Sequence, residues 1–67
     1  MDWSEEIRRR REEKHLSQEE LAARLHVVRQ TVSKWEKGRS VPDADLLIRL
    51  AEELDTTSAA LLGPEVP

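Results

Sequence analysis

The chain has no cysteine, no phenylalanine and no tyrosine, and only two glycines and two histidines. Without cysteine there is no disulfide and no thiolate-held zinc or iron–sulfur site. His15 and His26 are too few for a cage of histidines alone, so no metal and no cofactor is expected. Gly38 and Gly63 cannot build a glycine-rich phosphate loop. Trp3 and Trp35 are the only aromatic residues. They provide no row of rings on which single strands or RNA bases would stack, so RNA is not an expected partner. Charged residues make up 37% of the chain, and no apolar run approaches the ~20 residues that cross a bilayer. The first residues include Asp2, Glu5 and Glu6 and no base, unlike a secretory or transit peptide. These absences lead to the expectation of a soluble cytoplasmic protein, or a domain of one, with no membrane contact.

Sixty-seven residues make one small domain. A chain of this size buries only about 60% of its unfolded surface, which leaves little room for a deep active-site cleft. Leu, Ile and Val together number 16 of 67 residues. That is about 24%, just above the ~20% below which a charged chain stays unfolded. The net charge of -3 argues at first against nucleic acid. Its distribution argues the reverse. Between positions 24 and 39, Arg24, Arg29, Lys34, Lys37 and Arg39 face only Glu36, so this stretch carries +4 and the remainder -7. Binding of a polyanion follows the local field rather than the total charge.

Five short helices are legible. The first spans about 4–14, with Ser4 as N-cap, Glu5 and Glu6 in its first turn and Ile7 as its only large aliphatic residue. It carries the basic run Arg8 to Arg11. The second opens on a capping box, Ser17 at N-cap and Glu20 at N3, with Leu16 and Leu21 at the hydrophobic-staple positions. It ends near Leu25, and Leu21, Ala22 and Leu25 form its inward face. The third runs from about 28 or 29 to 37 and stops at Gly38. Val28, Val32 and Trp35 form its apolar stripe, and Arg29, Gln30, Ser33, Lys34 and Lys37 its polar face. The fourth spans about 43–54, started by Pro42 and Asp43, with Ala44, Leu47, Leu50, Ala51 and Leu54 inward and Leu46 and Ile48 flanking. The fifth spans about 58–62, capped by Thr57 and stopped by Gly63. No segment alternates as a strand does. The fold expected is an all-α compact bundle forming one domain, with its core at about 4–62 and a Pro64- and Pro67-bearing tail or linker start at 63–67.

The residues offer little for catalysis. Ser17 is engaged in a cap. The carboxylate pairs Glu5-Glu6, Glu12-Glu13, Glu19-Glu20 and Glu52-Glu53 are consecutive on helices, diverge by ~100° and cannot converge on one atom. They read as solvated charge, and no enzyme is expected. The segment from Gln18 to Trp35 is more informative. One helix ends near Leu25, a turn of about three residues follows, and a second helix begins near Arg29. Ala22 is small where the two helices must approach, and Val32 is the apolar contact from the second. This is the packing requirement of a helix-turn-helix. The outer face of the second helix carries Arg29, Gln30, Ser33 and Lys34, side chains that address guanine, adenine and phosphate in a major groove.

Two stretches carry a resemblance: Leu16-Ser17-Gln18-Glu19-Glu20-Leu21-Ala22-Ala23-Arg24-Leu25, and Arg29-Gln30-Thr31-Val32-Ser33-Lys34-Trp35-Glu36-Lys37-Gly38-Arg39-Ser40-Val41-Pro42. They resemble the lambda-repressor-like (Xre/Cro-type) helix-turn-helix family of bacterial and phage transcription regulators. The likeness continues through Leu47 to Ala51 and Ala60 to Gly63, covering nearly the whole chain. It implies sequence-specific binding of double-stranded DNA by a prokaryotic transcriptional regulator, with the third helix in the major groove. Arg29, Gln30 and Lys34 would be the main base readers, with Ser33 and Thr31 nearby and Val28 placed to meet a thymine methyl. Gln18, Lys37, Arg39 and Ser40 would contact phosphates. Arg11 and Glu36 match a structural ion pair tying the first helix to the third. Trp35 would belong to the core. Such regulators commonly use an inverted-repeat operator as a homodimer, although the sequence shows no strong dimer surface. They would be found on the nucleoid.

The chain departs from the family at several points. His15, His26 and Asp55 stand at turns where glycine is frequent, and Val28 stands at an N-cap usually held by Ser or Thr. Arg10 replaces a residue that is commonly apolar, which would anchor the first helix less well. His and Asp tolerate positive φ at some strain, whereas Val cannot cap, a loss of ~1 kcal/mol. The alternative is a protein-interaction module of the same fold, an antitoxin or bridging factor, with DNA binding secondary.

Overall fold

A computed structural model describes residues 3–62. The expected stop at Gly63 and the tail at 63–67 lie outside the described residues. The chain forms α1 (Trp3–Glu13), α2 (Gln18–Leu25), α3 (Arg29–Glu36), α4 (Ala44–Glu53) and α5 (Ser58–Leu62), and no strand occurs among the described residues. The architecture is an all-α bundle of five short helices.

The local start signals act as the sequence predicts. Ser17 Oγ accepts the Glu20 N–H at 3.0 Å, and the Glu20 carboxylate accepts the Ser17 N–H at 2.8 Å. Asp43 accepts from the Leu46 N–H at 2.9 Å and Thr57 from the Ala60 N–H at 3.1 Å. Val28 occupies the N-cap of α3 with extended backbone and no side-chain cap.

Four helices end in one way. His15, His26, Gly38 and Asp55 have φ of 59°, 60°, 72° and 56°. After each, an N–H reaches back to the carbonyl five residues earlier: Leu16 to Arg11, Val27 to Ala22, Arg39 to Lys34 and Thr56 to Ala51, at 2.8–3.1 Å. This Schellman geometry satisfies carbonyls that a helix end leaves open. It turns the chain within a few residues, which is how five helices pack into so short a sequence. Three of the four positions hold a side chain in a conformation that costs L-residues roughly 1–2 kcal/mol. His26 is exposed. His26→Gly should therefore stabilise the domain by about 0.5–1 kcal/mol after the greater unfolded-state freedom of glycine is subtracted. Thermal denaturation should show a midpoint roughly 2–8 °C higher, and His26→Val a lower one. Equal midpoints for His26→Gly and the parent would mean that the strain at the turn does no more than offset the greater unfolded-state freedom of glycine.

The core comprises Ile7, Leu21, Ala22, Leu25, Val32, Trp35, Leu50, Ala51, Leu54 and Leu61, with Trp3, Leu16, Val27, Leu46 and Leu47 packed against it. Several expectations are corrected. Ser4 is not a cap: α1 begins at Trp3, whose ring packs on the core, and Ser4 is buried inside the first turn. Val28 leaves the apolar stripe of α3 because its backbone is not helical, and its side chain is 66% exposed. Ala44 is exposed, since the first turn of α4 projects past the core. Glu6 is buried rather than solvated. The inward arc of α1 has only Trp3 and Ile7 as large apolar residues, so charged groups complete it. Glu6 Oε2 accepts from Arg9 Nη2 and Arg10 Nε, both at 2.6 Å, while its Oε1 is buried without a hydrogen bond. Burial raises the Glu6 pKa, but the hydrogen bonds and charges of Arg10 and Arg9 outweigh it and hold the carboxyl below its ordinary value. Arg10 thus folds back along its own helix.

Candidate nucleic-acid interface

The helix-turn-helix unit is built by α2, the turn at 26–28 and α3. Ala22 and Val32 are both buried, and the small alanine admits the close approach of the helices. Arg49 Nη2 donates to the Leu25 carbonyl at 3.1 Å, placing a cation at the negative end of α2. The sequence gives no sign of this contact, because it joins residues on two helices.

At about 100° per residue, Arg29, Ser33, Lys37, Gln30 and Lys34 occupy one continuous arc of α3 and the residue after it. The buried Val32 and Trp35 lie opposite. Arg29, Gln30 and Lys34 are exposed, Ser33 and Thr31 half-buried, and Val28 is exposed at the entry to the helix. Gly38 turns the chain after α3, and Lys37 and Arg39 stand exposed on either side of it, with Ser40 half-buried beyond.

Ion pairing sorts the charges. Arg24 Nη1 lies 3.4 Å from Glu53 Oε1 on α4, so this arginine is drawn away from the basic stretch in which the sequence placed it. Lys14 pairs with Asp55, and Arg9 and Arg10 pair with Glu6. Arg29, Lys34, Lys37 and Arg39 form no ion pair with any described residue, so most of the unpaired positive charge lies on α3 and the turn that follows it, the rest being Arg8 on α1 and Arg49 on α4.

Arg11 Nε and Nη2 reach Glu36 Oε2 and Oε1 at 2.6 and 3.1 Å, a bidentate contact, while Arg11 Nη1 donates to the Leu16 carbonyl at 2.7 Å. The two side chains are only 11% and 4% exposed. The hydrogen bonds from Arg11 to Glu36 hold its guanidinium above its ordinary pKa. Gln18 is engaged inside the protein: its Nε2 donates to Glu36 Oε1 at 3.0 Å, and its Oε1 accepts from Arg29 Nη1 at 3.4 Å. Among the described residues no group of three or more His, Cys, Asp or Glu is placed to hold a metal ion. No helix of the described residues is long and apolar enough to cross a membrane.

A helix-turn-helix family model matches residues 7–61. The chain is 35% identical over 65 residues to the HTH-type transcriptional activator BcrR of Enterococcus faecalis, covering 97% of this chain but 32% of that protein. It therefore spans about a third of the length of that relative. Its structure superposes on the P22 c2 repressor, solved in complex with a synthetic operator, with a TM-score of 0.91 at 27% identity, covering 94% of this chain and 96% of the repressor chain. It also superposes with a TM-score of 0.85 at 32% identity on a third of hydroxypropylphosphonic acid epoxidase from S. wedmorenis, covering 92% of this chain and 33% of that one. The same fold thus occurs within an enzyme, and the surface residues carry the functional argument.

Proposed function

The chain belongs to the lambda-repressor-like helix-turn-helix family, and on that premise we propose that it binds double-stranded DNA sequence-specifically as the DNA-binding domain of a transcriptional regulator. One observation carries the reading. The exposed arc of α3 holds Arg29, Gln30 and Lys34 beside Lys37 and Arg39, and no carboxylate among the described residues neutralises its four cations. α3 enters the major groove. Arg29 forks onto guanine, Gln30 pairs with adenine, and Lys34 reaches a further base, with Thr31, Ser33 and Val28 at the margin. Lys37, Arg39 and Ser40 grip phosphates, and Gln18 contacts a phosphate from the start of α2. The mechanism is binding without catalysis. An inverted-repeat operator bound by a homodimer fits the family habit, and exposed Val41 and Ile48 offer apolar surface for a second protomer. The place of action is the nucleoid.

Selection of bound sequences from a random duplex pool tests this reading. A consensus should emerge, arranged as an inverted repeat if the domain acts as a dimer. Gln30→Ala should then lose about 1–3 kcal/mol of discrimination at a single base pair, measured as the ratio of Kd values for the consensus and its point variants. An unchanged preference at every pair would remove Gln30 from the base readers. The rival reading is a protein-interaction module, favoured by the charge of -7 outside positions 24–39. It predicts that the main ligand is another protein, held through an interface much less sensitive to salt than DNA binding is.

A further inference from the structure

Four polar side chains form an unbroken line of hydrogen bonds from the interior to the exposed face of α3. Arg11 anchors the inner end through the Leu16 carbonyl and both oxygens of Glu36. Glu36 Oε1 also accepts from Gln18 Nε2 at 3.0 Å. Gln18 Oε1 accepts from Arg29 Nη1 at 3.4 Å. Arg29 is the solvent-exposed end of the line, at the first position of α3.

Chemistry fixes the direction of this line. An ionised carboxylate only accepts hydrogen bonds, and a guanidinium only donates them. Glu36 is 4% exposed on its side chain and held at both oxygens by Arg11, so it cannot turn away from Gln18. The Gln18 amide must therefore point its NH2 group inward and its oxygen toward Arg29. The flipped amide would set N–H against N–H at Arg29 and oxygen against oxygen at Glu36.

We infer that Glu36 is a positioning residue for base recognition: by fixing the Gln18 amide, it holds Arg29 in the single pose that reads its base. The inference rests on the DNA-binding reading. An arginine at an exposed helix start samples many rotamers. Held at one Nη by Gln18, it keeps its other N–H groups for the groove. Released, it also reaches phosphates, which carry no sequence information. Cutting the line therefore costs discrimination at one base pair more than it costs affinity. It also separates two roles for Gln18: whatever contact its backbone or remaining N–H makes with phosphate, its carbonyl oxygen serves Arg29.

The test uses the whole chain, the duplex it selects, and duplexes changed at single base pairs. Arg29→Ala identifies the pair that Arg29 reads, where the parent chain should favour the selected base by roughly tenfold or more. Glu36→Gln keeps the size of the side chain but removes its charge and its obligatory acceptor. It should lower the ratio at that pair to near the Arg29→Ala level and leave the ratios at other pairs within about twofold. Gln18→Met interrupts the same line without touching the Arg11–Glu36 contact. It should produce the same selective loss, and it decides the matter if circular dichroism shows Glu36→Gln unfolded. A folded Glu36→Gln with the parental ratio, or a Gln18→Met that weakens all duplexes equally, would overturn the inference. So would an Arg29→Ala variant that changes preference nowhere. A parent chain with no base preference at all is a different outcome, and it removes the DNA-reading proposal together with this inference.

Discussion

Arg11→Met is expected to destabilise the domain by about 3–5 kcal/mol, because it leaves the buried Glu36 carboxylate without its cation. A chain of this size has a total stability of only about 3–10 kcal/mol. The variant should therefore show a thermal midpoint lowered by tens of degrees, or no cooperative transition. The loss is larger than for a surface pair, typically worth ~0–1 kcal/mol, because both side chains are largely withdrawn from water and the contact is bidentate. The pair also joins α1 to α3 across 25 residues of sequence. The double replacement Arg11→Met with Glu36→Leu distinguishes the mechanisms. If the damage is an uncompensated buried charge, removing both charges should recover part of the stability. Recovery should be incomplete, since the Leu16 carbonyl and the Gln18 amide each lose a partner. Chemical denaturation of the parent, the two singles and the double gives the coupling directly. A single variant as stable as the parent would mean that Glu36 is effectively solvated.

The other large effect is expected in the salt dependence of DNA affinity. Arg29, Lys34, Lys37 and Arg39 are exposed, and each phosphate that they neutralise releases counterions. The logarithm of the binding constant falls by about 0.9 per neutralised phosphate for each unit of log salt. Lys37 and Arg39, the two cations assigned to phosphates, give a slope near -1.8, or a loss of roughly 12-fold between 50 and 200 mM salt for one protomer, and about twice that slope, or roughly 150-fold, for a dimer. Lys37→Ala should flatten the slope by about 0.9 and weaken all duplexes alike, whereas Arg29→Ala should alter preference at one pair. Anisotropy titrations at four salt concentrations suffice. A slope near zero would leave the cations unengaged and favour a protein partner.

Both expectations rest on pairings that divide sharply into those visible in the sequence and those that are not. The caps at Ser17, Asp43 and Thr57 and the inward Leu21, Ala22 and Leu25 follow from the sequence, and the family resemblance implied the turns at His15, His26 and Asp55. Each is settled within about one helical turn, where a hydrogen bond or an apolar spacing joins residues three to five apart. The polar arc of α3 was legible for the same reason.

Apart from the Arg11–Glu36 pair, which the family resemblance implied, the sequence could not determine which charges remain free and which are buried. Arg24 and Arg29 look alike along the chain. Packing of α2 against α4 gives Arg24 the Glu53 carboxylate, whereas Arg29 meets the amide of Gln18. Glu6 reads as a solvated first-turn acid until α1 docks through Trp3 and Ile7 and buries it between two arginines. The positions of the helices are thus written locally in caps, turns and apolar spacing. The chemistry of the proposed interface is decided by tertiary packing, because the partners that neutralise, orient or desolvate a charge lie 11 to 29 residues away in sequence and reach it only in the folded bundle.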